Sequence, residues 1–155
     1  MGVASNKRSN REVTSYEAHA FVAILRAAER LSQDAERLVR EHNLTGTQYN
    51  VLRILRGAEP QGLACKAIGD RMISHDPDMT RLLDRMEKRG LITRERQTDD
   101  RRVVKTRITA QGLELLKKLD APVLELHRRQ FLNINAATLK NLASTLDEIC
   151  SSAPE

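Results

Sequence analysis

The chain has 155 residues, enough for one domain with its own core and too few for a catalytic domain beside a separate regulatory one. Lysine and arginine outnumber aspartate and glutamate 26 to 21, giving a net charge of +5, a balance suited to a polyanionic partner. Cys65 and Cys150 stand far apart without a second pair, which excludes a disulfide scaffold and a cysteine-rich zinc site. The polar, basic stretch from Met1 to Arg11 offers no signal-peptide core, and no run approaches about 18 apolar residues. The expectation is a cytoplasmic protein, neither exported nor membrane-bound, that uses no cofactor.

Residues 1–13 lack periodicity and read as a flexible basic tail. From Tyr16 to Glu41, apolar residues recur every three or four positions, from Ala20, Ala23 and Ile24 to Ala35 and Leu38, which predicts a long amphipathic helix. At Leu44-Thr-Gly-Thr-Gln-Tyr49, Thr45 can cap a second helix, Gln48 can close the capping box, and Leu44 can pack on Tyr49. That helix turns Val51, Leu52 and Leu55 inward and is expected to end at a left-handed Gly57. A turn to Gly62 leads into a short helix over Ala64 to Ile73. Asp76 suits a cap and Pro77 a first helical position, so the next helix is placed from Pro77 to Arg89, with Met79, Leu82, Leu83 and Met86 inward and Gly90 as its stop. Two short helices joined by a tight turn form a helix-turn-helix pattern.

Beyond Gly90 the period changes. Leu91 to Arg96 and Val103 to Ile108 predict two strands around the polar loop Gln97-Thr-Asp-Asp-Arg-Arg102, a basic hairpin or wing. Thr109 caps a leucine-rich helix that Pro122 should kink or break before it resumes to about Leu132. Asn135 caps a last helix with Leu139, Leu142, Leu146 and Ile149 on one stripe. The fold class is mainly α with a small β-hairpin. Residues 44–109 form the winged helix-turn-helix, and 14–43 with 110–150 a helical dimerisation region, because about 65 residues of winged domain cannot bury the stripes of three outer helices without a second chain.

The candidate binding residues follow from this layout. Between Arg71 and Arg107 there are 11 basic and 7 acidic side chains, so +4 of the +5 is concentrated there. On the helix from Pro77, Arg81, Arg85 and Lys88 fall at i, i+4 and i+7, with Asp78 and Thr80 near its start and His75 just before it. Arginine can grip guanine O6 and N7 with two hydrogen bonds, and a major groove admits a helix, so double-stranded DNA is the expected partner. The bland alternative is a solvated, self-paired face; its position on the second helix of a tight pair, just before a basic hairpin, favours DNA. In the wing, Asp100 can hold Arg102 for entry into a narrow minor groove, while Arg94, Arg96, Arg101, Lys105 and Arg107 face phosphates; the alternative is a polar turn with a local ion pair. His19, Phe21, Tyr49 and Arg53 could border a small-molecule pocket, although Phe21 and Tyr49 also suit a core. The four histidines are scattered, and no metal site is expected.

The segments Leu44-Thr-x-x-Gln-Tyr49, Pro77-Asp-Met-Thr-Arg-Leu-Leu-Asp-Arg-Met-Glu-Lys-Arg-Gly-Leu-Ile92 and Asp99-Asp-Arg-Arg102 followed by Ile108-Thr-x-x-Gly112 resemble the multiple antibiotic resistance regulator (MarR) family over roughly residues 15–150. The resemblance implies a recognition helix at Pro77–Arg89, a minor-groove arginine at Arg102 positioned by Asp100, and a homodimer knit from the first and last helices. It further implies a pseudopalindromic operator, often repressed, and release by a small aromatic or anionic effector. The peroxide-sensing branch of that family uses a cysteine near the start of the first helix. None occurs here between Tyr16 and His42, so that route is not expected, and Cys65 and Cys150 read as buried or idle thiols. An enzyme lacks its parts: there is no phosphate-cradling glycine loop, no nucleophile with a nearby base and no paired carboxylates. A winged-helix module that meets protein rather than DNA is the remaining alternative.

Overall fold

A computed structural model describes residues 15–74, 76–96 and 103–152. The expectations for the tail 1–13, for His75, and for Asp100, Arg101 and Arg102 lie outside the described residues. Within them the order is α1 (Tyr16–Arg40), α2 (Gly46–Arg56), β1 (Leu63–Ala64), α3 (Cys65–Gly69), α4 (Met79–Lys88), β2 (Ile92–Arg96), β3 (Val104–Ile108), α5 (Ala110–Gln130) and α6 (Ala136–Ser151). The chain divides into two units, one ending at Gln33 inside α1 and one from Asp34 onward. The first presents Phe21, Val22 and Leu25 exposed.

The second unit carries the core. Val51, Leu52 and Leu55 of α2, Ile68 of α3, Leu82, Leu83 and Met86 of α4, Ile92 and Ile108 of the sheet, and Leu116 and Leu119 of α5 are buried together. Those of α2 and α4 belong to the inward stripes read from the sequence. Thr45 and Gln48 form the expected capping box, with the Gln48 amide donating to Thr45 Oγ1 and the Thr45 amide donating to Gln48 Oε1, both at 3.1 Å. Gln48 Oε1 also accepts from Arg89 Nη1 at 3.1 Å, joining the start of α2 to the end of α4.

Several boundaries differ from expectation. Gly57 is right-handed, at φ −70°; the left-handed residue of that turn is Gly62, at φ +66°, where a Cβ would stand 2.7 Å from Thr106 O. Glycine is needed there because the chain is delivering β1 against β3. The helix expected over Ala64 to Ile73 is shorter, Cys65–Gly69; at its start Ala64, with Leu63, instead pairs with β3, opposite Lys105 and Thr106. The sheet is antiparallel in the order β1-β3-β2, with Ile92 opposite Ile108 and Arg96 opposite Val104.

Helix α4 begins two residues later than predicted. Asp76 Oδ1 accepts from the Asp78 amide at 2.8 Å, and Asp78 caps α4. At its other end Gly90, at φ +69°, donates to Glu87 O, and Leu91 donates to Met86 O, a Schellman closure. Helix α5 runs unbroken through Pro122, because buried Leu119 before the proline and core-packed Val123 after it hold both sides to the same surface. Thr109 and Asn135 cap α5 and α6 as expected.

Candidate nucleic-acid interface

The capping of α4 decides what its outer face presents. Its apolar stripe faces the core, so Thr80, Arg81, Arg85 and Lys88 are all exposed on the opposite side. Asp78 is engaged at the helix start, accepting from the Arg81 amide at 3.4 Å and lying 3.3 Å from Arg81 Nε. That pair is an exposed i,i+3 contact worth little in water, so Arg81 can exchange it for a phosphate or a base. Arg85 and Lys88 meet no carboxylate among the described residues.

Arg94 behaves differently from the phosphate contact expected of it. It is half-buried at the root of the wing, and its guanidinium is taken up by α4. Nε and Nη2 donate to Glu87 Oε2 at 2.9 and 2.7 Å, and Nη2 also donates to Asp84 Oδ1. The Arg94 backbone amide donates to Glu87 Oε1 at 3.1 Å. The hydrogen bonds it donates to Glu87 push the guanidinium above its already high ordinary value; burial opposes that shift, and the bond it donates to Asp84 adds to it. The sequence signal was present: Asp84 and Glu87 stand at i,i+3 on one side of α4. The register that brings β2 beside them was not.

In the rest of the wing, Arg96 is exposed and Lys105 half-exposed on adjoining strands. Arg107 lies half-buried, with its Cγ against Gly62 and its Nε buried without a hydrogen-bond partner. One residue of this face escaped the sequence reading altogether. Asn50 Oδ1 of α2 accepts from the Ile73 amide at 3.0 Å, so α2 holds the chain beyond α3, and the Ile73 side chain is 85% exposed.

The fold is shared with known proteins. The crystal structure of a MarR transcription factor from Planctomyces limnophilus is 38% identical, with a TM-score of 0.67, over 86% of this chain and 96% of that one. The chain belongs to the MarR family. The MarR family profile matches residues 44–104. The transcriptional regulator TtmR of Methylorubrum extorquens is 32% identical over 87% of this chain and 69% of its own. The homoprotocatechuate degradative operon repressor of Escherichia coli is 28% identical over 82% of this chain and 84% of its own. As a MarR-family protein, the chain is a DNA-binding transcriptional regulator with a winged helix.

The four residues considered for a MarR ligand pocket fall in separate units. His19 and Phe21 are exposed on the first. In the second, the Arg53 guanidinium lies 5.9 Å from the centroid of the Tyr49 ring. Burial pushes the Tyr49 phenol above its ordinary value of 10.0, Arg53 opposes that shift, and Asp120 adds to it. Asp120 itself receives Arg56 Nη1 at 2.9 and 3.0 Å, which ties α2 to α5. No cluster of three metal-ligating side chains occurs among the described residues. Cys65 is half-buried against the core and Cys150 exposed.

Proposed function

We propose that this MarR-family regulator is a cytoplasmic homodimeric repressor that lays α4 in the major groove of a pseudopalindromic operator, through residues 44–109, and is released by a small aromatic or anionic effector. The observation that carries the reading is the outer face of α4, where Thr80, Arg81, Arg85 and Lys88 are exposed together while the helix's own carboxylates are turned aside onto Arg94. Thr80 and Arg81, near the amino-terminal end, read base edges; Arg85 and Lys88 meet phosphates. In the wing, Arg96, Lys105 and Arg101 serve the backbone, Asp100 orients Arg102, and Arg102 reads the minor groove. His75, just before the helix, adds a phosphate-side contact.

Dimerisation through residues 14–43 and 110–150 is supported by apolar surface that the single chain leaves open. No residue of α6 is buried, and Leu142 and Ile149 are exposed on it. An open cleft of about 570 Å³ between α5 and α6 is lined by Leu124, Phe131, Leu132, Ile134 and Leu139. A second copy covers such a surface under two-fold symmetry. Release by an aromatic acid is supported by the relative that represses a homoprotocatechuate degradative operon; in the second unit, Tyr49 and Arg53 are the residues assigned to that ligand. No helix among the described residues is long and apolar enough to cross a membrane.

Selection of bound duplexes from a random pool tests the reading directly. The expected product is a two-fold-symmetric sequence with half-sites about 10 base pairs, or a multiple, apart. Recovery of sequences without symmetry or enrichment refutes it.

A further inference from the structure

We infer that Asp84, Glu87 and Arg94 form a positioning clamp that sets the attitude of α4 relative to the wing, and through it the discrimination between operator and other DNA. The inference rests on α4 being the base-reading element. It starts from the position of β2, which is an edge strand in the order β1-β3-β2. An edge strand has outward amides with no neighbouring strand to receive them. The outward amide of Arg94 donates to Glu87 Oε1 at 3.1 Å, so the recognition helix occupies the place of the missing strand.

The side chain completes the grip. Glu87 Oε2 receives both Nε and Nη2 of Arg94, and Asp84, one turn earlier on α4, receives Nη2 as well. A planar guanidinium can meet two carboxylates in fixed directions, whereas an ammonium acts as a point charge. Two points on one helix, held by one side chain and its own backbone amide, define the rotation of that helix about its axis as well as its distance from the strand. The exposed face of Thr80, Arg81 and Arg85 is aimed by that rotation.

The clamp also has an electrostatic consequence that makes it testable with a clear sign. Asp84 and Glu87 are negative charges on a helix whose partner is a polyanion. If they did nothing but sit there, removing either charge would strengthen binding to every duplex. If they aim the helix, removing either weakens binding to the correct duplex despite the more favourable charge.

The test compares wild type, Glu87→Gln, Asp84→Asn, Arg94→Ala and Arg94→Lys in the full chain. Two probes are used: a duplex selected from a random pool by the wild-type protein, and a scrambled duplex of the same length and composition. Thermal unfolding of each free protein is recorded alongside. Glu87→Gln and Asp84→Asn are expected to lose about three- to tenfold affinity for the selected duplex, the scale of a partly exposed bidentate network, while binding the scrambled duplex as well as wild type or better. Arg94→Lys, which keeps the charge, is expected to lose selected-duplex affinity with an unchanged salt dependence. Tighter binding of the selected duplex by both neutralised variants overturns the clamp. So does an Arg94→Ala variant that loses both duplexes in equal proportion with a shallower salt dependence, the mark of a phosphate contact. If wild type itself selects no sequence, the base-reading assignment of α4 fails first, and that failure is visible before any variant is made.

Discussion

Gly112 in the first turn of α5 is a position where two known effects of a methyl group oppose each other, and the structure decides between them. Glycine inside a helix is less favourable than alanine by roughly 0.5–1 kcal/mol, so Gly112→Ala should stabilise on propensity alone. A Cβ at this position, however, would stand 2.5 Å from the Leu91 carbonyl oxygen and 2.7 Å from Ile108 Cγ1. The carbonyl is backbone and cannot rotate away; it also accepts the Thr109 amide at 3.1 Å. Relief requires α5 to lift from the root of the wing, and overpacking of this kind costs about 1–3 kcal/mol. The net expectation is a loss of roughly 1–2 kcal/mol, or about 2–8 °C in melting temperature for a chain of this size. Gly69→Ala is the matched control, because a Cβ there meets nothing within 4 Å; it should be neutral or slightly stabilising. Thermal unfolding of both variants at one protein concentration provides the comparison. A Gly112→Ala protein as stable as wild type, or more so, refutes the packing argument.

Replacing Arg85 or Lys88 with alanine should weaken binding to selected and scrambled duplexes alike and lower the slope of log affinity against log salt by about one unit each, as measured by titration at several ionic strengths. Arg102→Ala should weaken operator binding by about 1–3 kcal/mol; unchanged affinity in a folded variant removes it from the minor groove. Because burial raises the Tyr49 phenol, the folded state holds that proton more tightly than the unfolded state. The associated stability is complete below the ordinary value of 10.0 and is lost as pH rises through the higher folded value. Melting curves between neutral pH and the alkaline range should therefore fall more steeply for wild type than for Tyr49→Phe, and parallel curves would contradict that placement of the phenol.

What could be read from the sequence was what depends on neighbours within four residues. Thr45, Thr109 and Asn135 each cap a helix because a side-chain oxygen reaches an amide three positions on, and each was visible as such. The apolar stripes of α2 and α4 were visible because burial on one face imposes the helical period. The start of α4 was misplaced because Asp76 and Asp78 are both competent caps flanking a proline, and only the observed turn shows Asp76 spent on the Asp78 amide. Strand β1 has two residues, too few for an alternating pattern; its existence depends on β3, more than 40 positions away. On the outer face of α4, composition and spacing found the exposed row Arg81, Arg85 and Lys88. They could not separate Arg94 from that set, since whether an arginine meets a phosphate or a carboxylate depends on the tertiary approach of β2 to α4.

One hydroxyl joins the end of α4 to the longest helix of the second unit. Thr109 Oγ1 accepts from the Gly112 amide at the first turn of α5 and donates to Gly90 O, at 2.6 Å, just past the end of α4. The Thr109 amide donates to Leu91 O at 3.1 Å, a second hydrogen bond across the same junction. Helix α5 extends over 21 residues from that point, about 31 Å of rod. A sideways shift of about 3 Å at the far end is a rotation of only about 5° at the near end. Mechanically α5 is a tiller fastened to the end of α4: a displacement at its distal end becomes a small change of angle at that junction.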